Sequence, residues 1–269
     1  MVLRGDNLIT RYIKFWFLFA KYEVLKQFSS MFSVVFFFFG KSVRFFSFLL
    51  LLIVLQQHTK AMAGFTLEQV IIFFFTFNYI DLISQIFLRG VYMLSGKVRS
   101  GEFDFYLTQP MNLLFRTMAG NPDFNDLLLF IPLVLFSLWY TFTFIPTITL
   151  WSFILYLIFL IHGLLISLSF HIFVVCLGIV TTEIDNTIMV YRDISQMGRF
   201  PLEIYREPLR GFMTFVLPVG IMISVPSKAL MGLASPMLLL FSLFITWLFF
   251  FFALRTWNSS LKMYTSASS

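Results

Sequence analysis

The chain has 269 residues, of which 59% are hydrophobic and only 12% are charged, and Phe alone occurs 39 times. Soluble domains contain about 25% charged residues, so this composition excludes an ordinary water-exposed globule. The net charge of +6 does not indicate a nucleic-acid partner, because the basic residues are scattered among the predicted loops. We therefore predict one polytopic domain of membrane-spanning α-helices over residues 1–269, with the lipid bilayer as its surroundings.

Residues 8–27 carry apolar side chains at helical spacing, with Arg11, Lys14, Lys21 and Lys26 between them. This pattern is typical of a helix that lies in the headgroup region of one membrane face. The alternative is that the same residues form the hydrated first turns of a longer spanning helix.

Six apolar stretches follow, each about as long as a membrane-spanning helix, which takes about 20 residues. They cover approximately residues 28–57, 65–88, 127–145, 149–179, 208–225 and 236–255. With the N-terminus assigned to the cytoplasm, the predicted inner segments hold fourteen Lys and Arg residues, and the outer loops hold only Lys60 and Lys228. Positive residues concentrate on the cytoplasmic side, so both termini and the segments 89–126 and 180–207 are predicted to be cytoplasmic.

The first two spans contain ionisable residues at membrane depth, where an isolated charge is costly. If these spans form an antiparallel hairpin that turns near residue 62, residues whose numbers sum to about 124 share a level. Asp81 then lies level with Lys41 and Arg44. We predict an intramembrane charge cluster in which Asp81 pairs with one of these two bases. The alternative is that both bases extend to the inner headgroups.

Residues 89–126 form a polar insert between two apolar hairpins, which places them on an aqueous face. Ser100 and Gly101 predict a break between two short helices in this insert. Glu102 and Asp104 stand at the start of the second helix, where carboxylates complement the helix dipole. The paired charges either form a docking surface for a soluble partner or simply hydrate a loop.

The fifth predicted span contains Pro218, and Pro226 follows it. These prolines predict a break and a short re-entrant piece over residues 226–232, which includes Lys228. Irregular backbone at membrane depth is tolerated only where protein or water satisfies it. We therefore predict an outer gate at Pro218, Pro226 and Lys228, and an ordinary helix kink is the alternative.

No constellation of residues indicates catalysis, a metal site or a bound cofactor. His162 and His171 are nine residues apart on opposite faces of one predicted helix, so they cannot share a metal ion. The "GKS" at 40–42 lacks the first glycine of a phosphate-binding loop, where Val35 stands. One hypothesis for the function is an intramembrane lipid-modifying enzyme, although such an enzyme would need reactive residues that converge at one depth. Another is a membrane anchor that transports nothing.

Two stretches, "SGEFDFYLTQPMNLLFR" and "GRFPLEIYREPLRGFMTFVLPVGIMISVPSKALMG", resemble permease subunits of the type-2 ABC exporters, in particular an uncharacterised bacterial branch. The insert of that branch reads approximately (R/V)-x-G-x-(L/F)-D-x-x-L-x-x-P. The matching positions in this chain are Arg99, Gly101, Phe103, Asp104, Leu107 and Pro110. In the second stretch, the matching prolines are Pro201, Pro218 and Pro226. The resemblance covers about residues 10–255.

The resemblance implies an N-terminal interfacial helix, six spans, a coupling helix between spans two and three, and re-entrant helices on the outer side between spans five and six. It also implies that two permeases pair, as a homodimer or with a sister permease. Each would rest on a separate ABC ATPase subunit that binds ATP and Mg, so the chain itself would be no enzyme. The expected location is the bacterial cytoplasmic (inner) membrane. The residues expected to couple to the ATPase are Lys97, Arg99, Gly101, Glu102, Phe103, Asp104 and Pro110.

One feature departs from that family pattern. Lys41 and Arg44 in the first span are not what a generic exporter of this class requires. The lining near these two residues is therefore expected to be special to this branch.

Overall fold

The computed structural model describes residues 7–28, 31–58, 62–181 and 185–264. Lys60 and both chain termini, which the charge count assigns to sides of the membrane, lie outside these residues. The chain is 84% helical, and its described residues contain no β-strand. The predicted all-α class is thereby confirmed.

Twelve α-helices follow one another in the described part of the chain. Their bounds are α1 Leu8–Phe28, α2 Met31–His58, α3 Leu67–Leu88, α4 Leu94–Arg99, α5 Glu102–Leu107, α6 Leu113–Met118, α7 Phe124–Phe144, α8 Leu150–Thr181, α9 Asp185–Met197, α10 Leu209–Gly211, α11 Val219–Leu230 and α12 Pro236–Met263. A 3₁₀ turn joins α3 to α4, and a π-helical turn, Phe212–Val216, extends α10.

Five of these helices, α2, α3, α7, α8 and α12, are long and apolar enough to cross a membrane. The apolar segment formed by α10, its π turn and α11 adds a sixth candidate, but its two halves meet at an angle of 87°. The chain is therefore a polytopic membrane protein. Below, the end of the bundle that carries α4, α5 and α6 is called the insert end, and the other is called the opposite end.

α3 and α8 form the buried centre of the bundle, and α2, α7, α11 and α12 pack around them. Gly163 of α8 allows a close approach, because a Cβ at this position would stand 2.5 Å from the carbonyl oxygen of Met222 in α11. The hydroxyls of Ser84 in α3 and Ser167 in α8 lie 2.7 Å apart. Small residues and interhelical hydrogen bonds of this kind drive helix association in lipid, where the hydrophobic effect does not.

α1 lies flat across the insert end. The ring of Tyr12 is 4.7 Å from that of Phe115 in α6, and the ring of Phe28 is 5.6 Å from that of Phe124 at the start of α7. Both contacts are at the same end of the bundle, although a helix of 21 residues is about 31 Å long. α1 is therefore the predicted helix that lies along one end of the bundle, and it does not form the first turns of a longer spanning helix.

The largest difference from the sequence-based topology concerns residues 180–207, which the charge count places in an aqueous loop. In the structure, α9 runs back along α8 from the insert end, since Tyr191 bonds Ser167 at 3.1 Å. The chain then continues to Glu203, which forms an ion pair with Lys228. Lys228 lies 6.0 Å from the ring of Phe65, next to the start of α3 at the opposite end. Residues 185–204 therefore lead from one end of the bundle to the other.

The predicted fifth span, 208–225, is not a continuous helix. It breaks between the π turn and α11, where Pro218 provides no backbone N–H donor and Leu217 has a non-helical backbone. The ring of Phe215 lies 6.1 Å from that of Phe241, five residues into α12. This contact keeps the bent segment in the opposite half of the bundle. Pro226 causes no break, because α11 continues through it to Leu230.

Gly163→Ala tests whether the close contact of α8 with α11 sets the packing of the centre. The added methyl group would overlap the Met222 carbonyl, and overpacking of this kind costs roughly 1–3 kcal/mol. We expect a lower unfolding temperature for the detergent-solubilised protein. The matched control is Gly40→Ala in α2, where a Cβ would meet nothing within 4 Å. Equal unfolding temperatures for the two variants would contradict this account.

Candidate functional site

The insert is closed at its base by an ion pair. Arg89, which follows α3, pairs with Asp123, which precedes α7, and the carboxylate of Asp123 also caps α7 through the backbone N–H of Asn125. Next to this pair, a Cβ at Gly90 would stand 2.9 Å from the backbone nitrogen of Gly120, so the two ends of the insert touch through their backbones. The insert therefore leaves the bundle and returns to it at one point.

The inward side of the insert packs against the ends of α8 and α12. Phe103 is fully buried in a cluster that includes Val175 of α8 and Trp257 of α12. Its ring lies 5.1 Å from that of Tyr264, whose hydroxyl donates a hydrogen bond of 2.8 Å to Asp104. Burial and this bond to a carboxylate raise the pKa of Tyr264 to about 12. Phe103 and Asp104 thus fasten the insert to the bundle.

A second contact joins the insert to α1. The guanidinium of Arg116 lies 3.9 Å from the ring centroid of Tyr106 and 4.6 Å from that of Phe19 in α1. The backbone N–H of Asn112 donates to the hydroxyl of Tyr12 at 2.9 Å. Cation–π contacts of this kind contribute roughly 0.5–2 kcal/mol each. The surface helix and the insert therefore form one layer at this end of the bundle.

The outward side of the insert is free and partly apolar. Phe105 is 68% exposed and Leu107 is 48% exposed, although both lie in the same short helix as the buried Phe103. Gly101 has a φ of +75° and supplies the turn that starts this helix, as its position predicts. Three of the residues that are predicted to couple to an ATPase are exposed on this side, namely Arg99, Glu102 and Pro110. Lys97 is half-buried, contacts the Tyr106 hydroxyl and lies 3.8 Å from Glu102.

The intramembrane charge cluster is assembled differently from the prediction. Lys41 pairs with Asp126, and Arg44 donates a hydrogen bond of 3.0 Å to the side-chain oxygen of Gln196 in α9. Asp81 lies at the predicted level and borders the same cavity, but it forms no ion pair with any base in the described residues. The predicted pairing of Asp81 with Lys41 or Arg44 is therefore replaced by the pair of Lys41 with Asp126.

The replacement has a simple cause. The prediction places Asp126 in the aqueous insert, but α7 begins at Phe124, so Asp126 occupies its first turn and is fully buried. A buried carboxylate needs a partner, and Lys41 is the base that pairs with it. The hairpin register itself is correct, because Phe48 of α2 stacks on Phe74 of α3 at 4.7 Å.

A cavity of about 310 Å³ lies between α2, α3, α7 and α9. Phenylalanine and leucine side chains form most of its wall. Its ionisable groups are Lys41, Arg44, Asp81, Arg192 and Arg199. Sequence reasoning assigned Arg192 and Arg199 to a loop. The signal that identifies Arg192 is the strong alternation of apolar and polar faces within Asp185–Met197, and Arg199 lies two residues beyond this helix.

The three residues of the predicted outer gate all lie at or near the bent segment of α10 and α11. Pro218 stands at the break, Pro226 lies inside α11, and Lys228 pairs with Glu203 near the opposite end. Among the residues that the structure describes, no group of three or more His, Cys, Asp or Glu side chains could hold a metal ion.

A family model described as an ABC-2 family transporter protein matches residues 42–268, which is more than half of the chain. The matched region contains the insert, the cavity-lining part of α9 and the broken helix pair. No curated protein and no solved structure matches the chain.

Asp126→Asn tests the ion pair that the structure substitutes for the predicted one. The variant leaves Lys41 without its partner, and breaking a buried pair costs roughly 3–5 kcal/mol. Because the Lys41 side chain is 28% exposed, we expect a smaller loss of about 2 kcal/mol, measured as a lower unfolding temperature in detergent. The double variant with Lys41→Met should recover part of the loss. The exposed Asp193→Asn serves as control, and an equal loss there would contradict the pairing.

Tyr264→Phe tests the fastening of the insert to α12. The change keeps the ring on Phe103 and removes the hydroxyl donor to Asp104, which we expect to cost about 1 kcal/mol. Hydrogen–deuterium exchange should become faster in residues 102–107 and stay unchanged in α2. Tyr22→Phe on the exposed side of α1 is the matched control. Unchanged exchange in residues 102–107 would show that the bond does not hold the insert.

Proposed function

Because the chain belongs to the ABC-2 transporter family, we propose that it is the permease subunit of an ATP-driven exporter whose insert is moved by a separate ABC ATPase. The ATPase would bind ATP and Mg, and the chain itself would catalyse no reaction. The single observation that carries this proposal is the construction of the insert. It is fastened inward to α8, α12 and α1, and it presents a free apolar and charged side outward.

An ATPase moves a permease only through contacts that differ between its two nucleotide states. Exposed Phe105 and Leu107, flanked by Arg99 and Glu102, provide an anchor of the kind that dominates protein interfaces, with charges at its rim. A displacement of this side passes through buried Phe103 to the ends of α8 and α12. The Arg89–Asp123 pair prevents the insert from moving independently of α3 and α7.

The proposed orientation puts the insert end in the cytoplasm of a bacterial cell, with the bundle in the inner membrane. Fourteen Lys and Arg residues support it in the sequence count, and two of these, Arg192 and Arg199, are now placed inside the bundle. Arg206 and Arg210 follow the crossing towards the opposite end, so eleven Lys and Arg residues remain at the insert end, against Lys60, Arg206, Arg210 and Lys228 at the other. The positive-inside rule therefore favours the same orientation after the correction.

The proposed outer gate is the bent pair of α10 and α11. Backbone broken at membrane depth is stable only against protein or a water-filled path. The Glu203–Lys228 pair joins this segment to the chain that follows α9, so movement of one would shift the other. Pro218 supplies the hinge, and Pro226 and Lys228 lie on the moving arm, α11.

A second permease is proposed to cover α2. This helix exposes an apolar stripe along most of its length, formed by Phe32, Phe36, Phe39, Val43, Phe46 and Leu50. Lipid also covers such a stripe, but a family member that works in pairs needs an extended apolar helix face. In a homodimer the two copies of α2 would meet, and in a heterodimer α2 would meet the corresponding helix of a sister permease.

The test is reconstitution with the ABC ATPase encoded nearest to this chain. The double variant Phe105→Ser with Leu107→Ser removes the apolar anchor without touching the buried side of the insert. We expect the ATPase to co-purify with the wild-type chain and to turn over faster in its presence. The double variant should lose both effects by about tenfold, which corresponds to about 1.4 kcal/mol of lost binding.

The matched control is Leu150→Ser with Trp151→Ser, which changes two exposed apolar side chains at the opposite end. It should leave ATPase binding and turnover unchanged. If the ATPase still co-purified with the insert variant but not with the control variant, it would dock at the opposite end of the bundle, and the proposal would be contradicted. ATP hydrolysis by the purified chain alone would overturn the proposal altogether.

A further inference from the structure

The cavity between α2, α3, α7 and α9 carries an excess of positive charge. Lys41 is matched by Asp126, which leaves Arg44, Arg192 and Arg199 on the wall facing one carboxylate, Asp81. In the described part of the chain, no carboxylate lies within 4 Å of these three guanidinium groups. Three positive groups against one negative group leave an excess of two charges at membrane depth, where unmatched charge is costly.

The arginines are oriented by neutral partners. Arg44 donates to the amide oxygen of Gln196, and the guanidinium of Arg199 lies 4.6 Å from the ring centroid of Phe77. The Nε–H of Arg199 is buried without a hydrogen-bond partner among the described residues. Arg192 lies 6.0 Å from a tyrosine ring. Such contacts fix a guanidinium but leave its charge and several donors available, and carboxylate and phosphate are the groups that match its fork.

Apart from Ser42 and Asn78, the remainder of the wall is apolar, and it reaches the surface of the bundle. Phe136 and Leu133 of α7 line the interior, and Phe46 of α2 lines the cavity while being 61% exposed. A volume of about 310 Å³ is at the lower end of the range for ligand sites, about 300–1,000 Å³. It accommodates a headgroup and the first part of a hydrocarbon tail, and the rest of the tail would extend out of the cavity beside Phe46.

We propose that this cavity binds an amphipathic anion, with its phosphate or carboxylate held by Arg44, Arg192 and Arg199 and its hydrocarbon chain along Phe46 and Phe136. Asp81 would repel a second negative charge on the headgroup, which favours a monoanion. A cationic amphiphile is disfavoured because it would meet the excess positive charge.

The position of the cavity also defines the side of entry. Asp81 lies seven residues before the end of α3 at Leu88, about 10 Å from the insert end. The ligand would therefore enter from the leaflet next to the insert. That this ligand is the exported cargo rests on the proposed function, whereas the binding site itself does not.

The test is equilibrium binding of radiolabelled oleate to the purified full-length chain in a non-ionic detergent, without any ATPase. Dodecyl phosphate should compete with oleate, whereas oleyl alcohol, dodecylamine and inorganic phosphate should compete at least about tenfold less well. If inorganic phosphate competed as well as dodecyl phosphate, the ligand would be a free anion, and the proposed role of the hydrocarbon chain would be overturned. Equal competition by oleyl alcohol or dodecylamine would overturn the proposal, and this comparison needs no variant.

Arg192→Gln with Arg199→Gln should weaken oleate binding by about tenfold or more, and the exposed Arg210→Gln should leave it unchanged. If the double variant does not fold, Arg199→Gln alone is measured. Unchanged affinity in the folded arginine variant would overturn the assignment of the headgroup site. Oleate binding without ATPase stimulation would leave this site standing and remove the exporter proposal. ATPase stimulation without oleate binding would leave the exporter proposal standing and overturn the binding site.

Discussion

The two acidic residues at the start of α7 hold this bundle together at the insert end. Asp123 pairs with Arg89 after α3, and Asp126 pairs with Lys41 in α2. Both carboxylates are almost fully buried, so each depends on its partner to remain charged there. Three helices are thereby fixed at one level, and the insert begins and ends at that level. The contacts of the insert with α8, α12 and α1 are possible because its base is fixed in this way.

The cavity follows from the same arrangement. Since Asp126 engages Lys41, Arg44 of α2, Arg192 of α9 and Arg199 just after α9 are left beside Asp81 alone. The charges of the cluster on α2 and α3 alone, Lys41, Arg44 and Asp81, sum to +1, and the sum rises to +2 when Asp126, Arg192 and Arg199 are included. The bundle therefore combines the layer formed by the insert and α1 with a positively charged cavity about two helical turns deeper. One ion pair, Lys41 with Asp126, links the two.

Hydropathy was sufficient for α2, α3, α7, α8 and α12, because these helices are apolar on all sides or face lipid. It failed for residues 185–204, where Arg192 and Arg199 line the cavity and Tyr191 contacts Ser167 of α8. It also failed for the partner of Lys41, because a difference of three residues in the start of α7 moved Asp126 from water into the core. Gly101 and Pro218 were located correctly, since left-handed backbone and helix breaks have direct sequence causes. Contacts between distant segments, such as Tyr264 with Asp104, leave no local pattern.

The polar crossing over residues 185–204 has a consequence for biogenesis. On its own, a segment with Arg192, Asp193, Arg199 and Glu203 is a poor substrate for lateral release into lipid, since each charge at mid-depth costs about 2.5–3.5 kcal/mol on insertion scales. Its integration must wait until the partners on α2, α3 and α8 have been synthesised and are already in the membrane. The order of synthesis meets this requirement, because all three precede it in the chain. Completion of the membrane topology is thus coupled to tertiary packing.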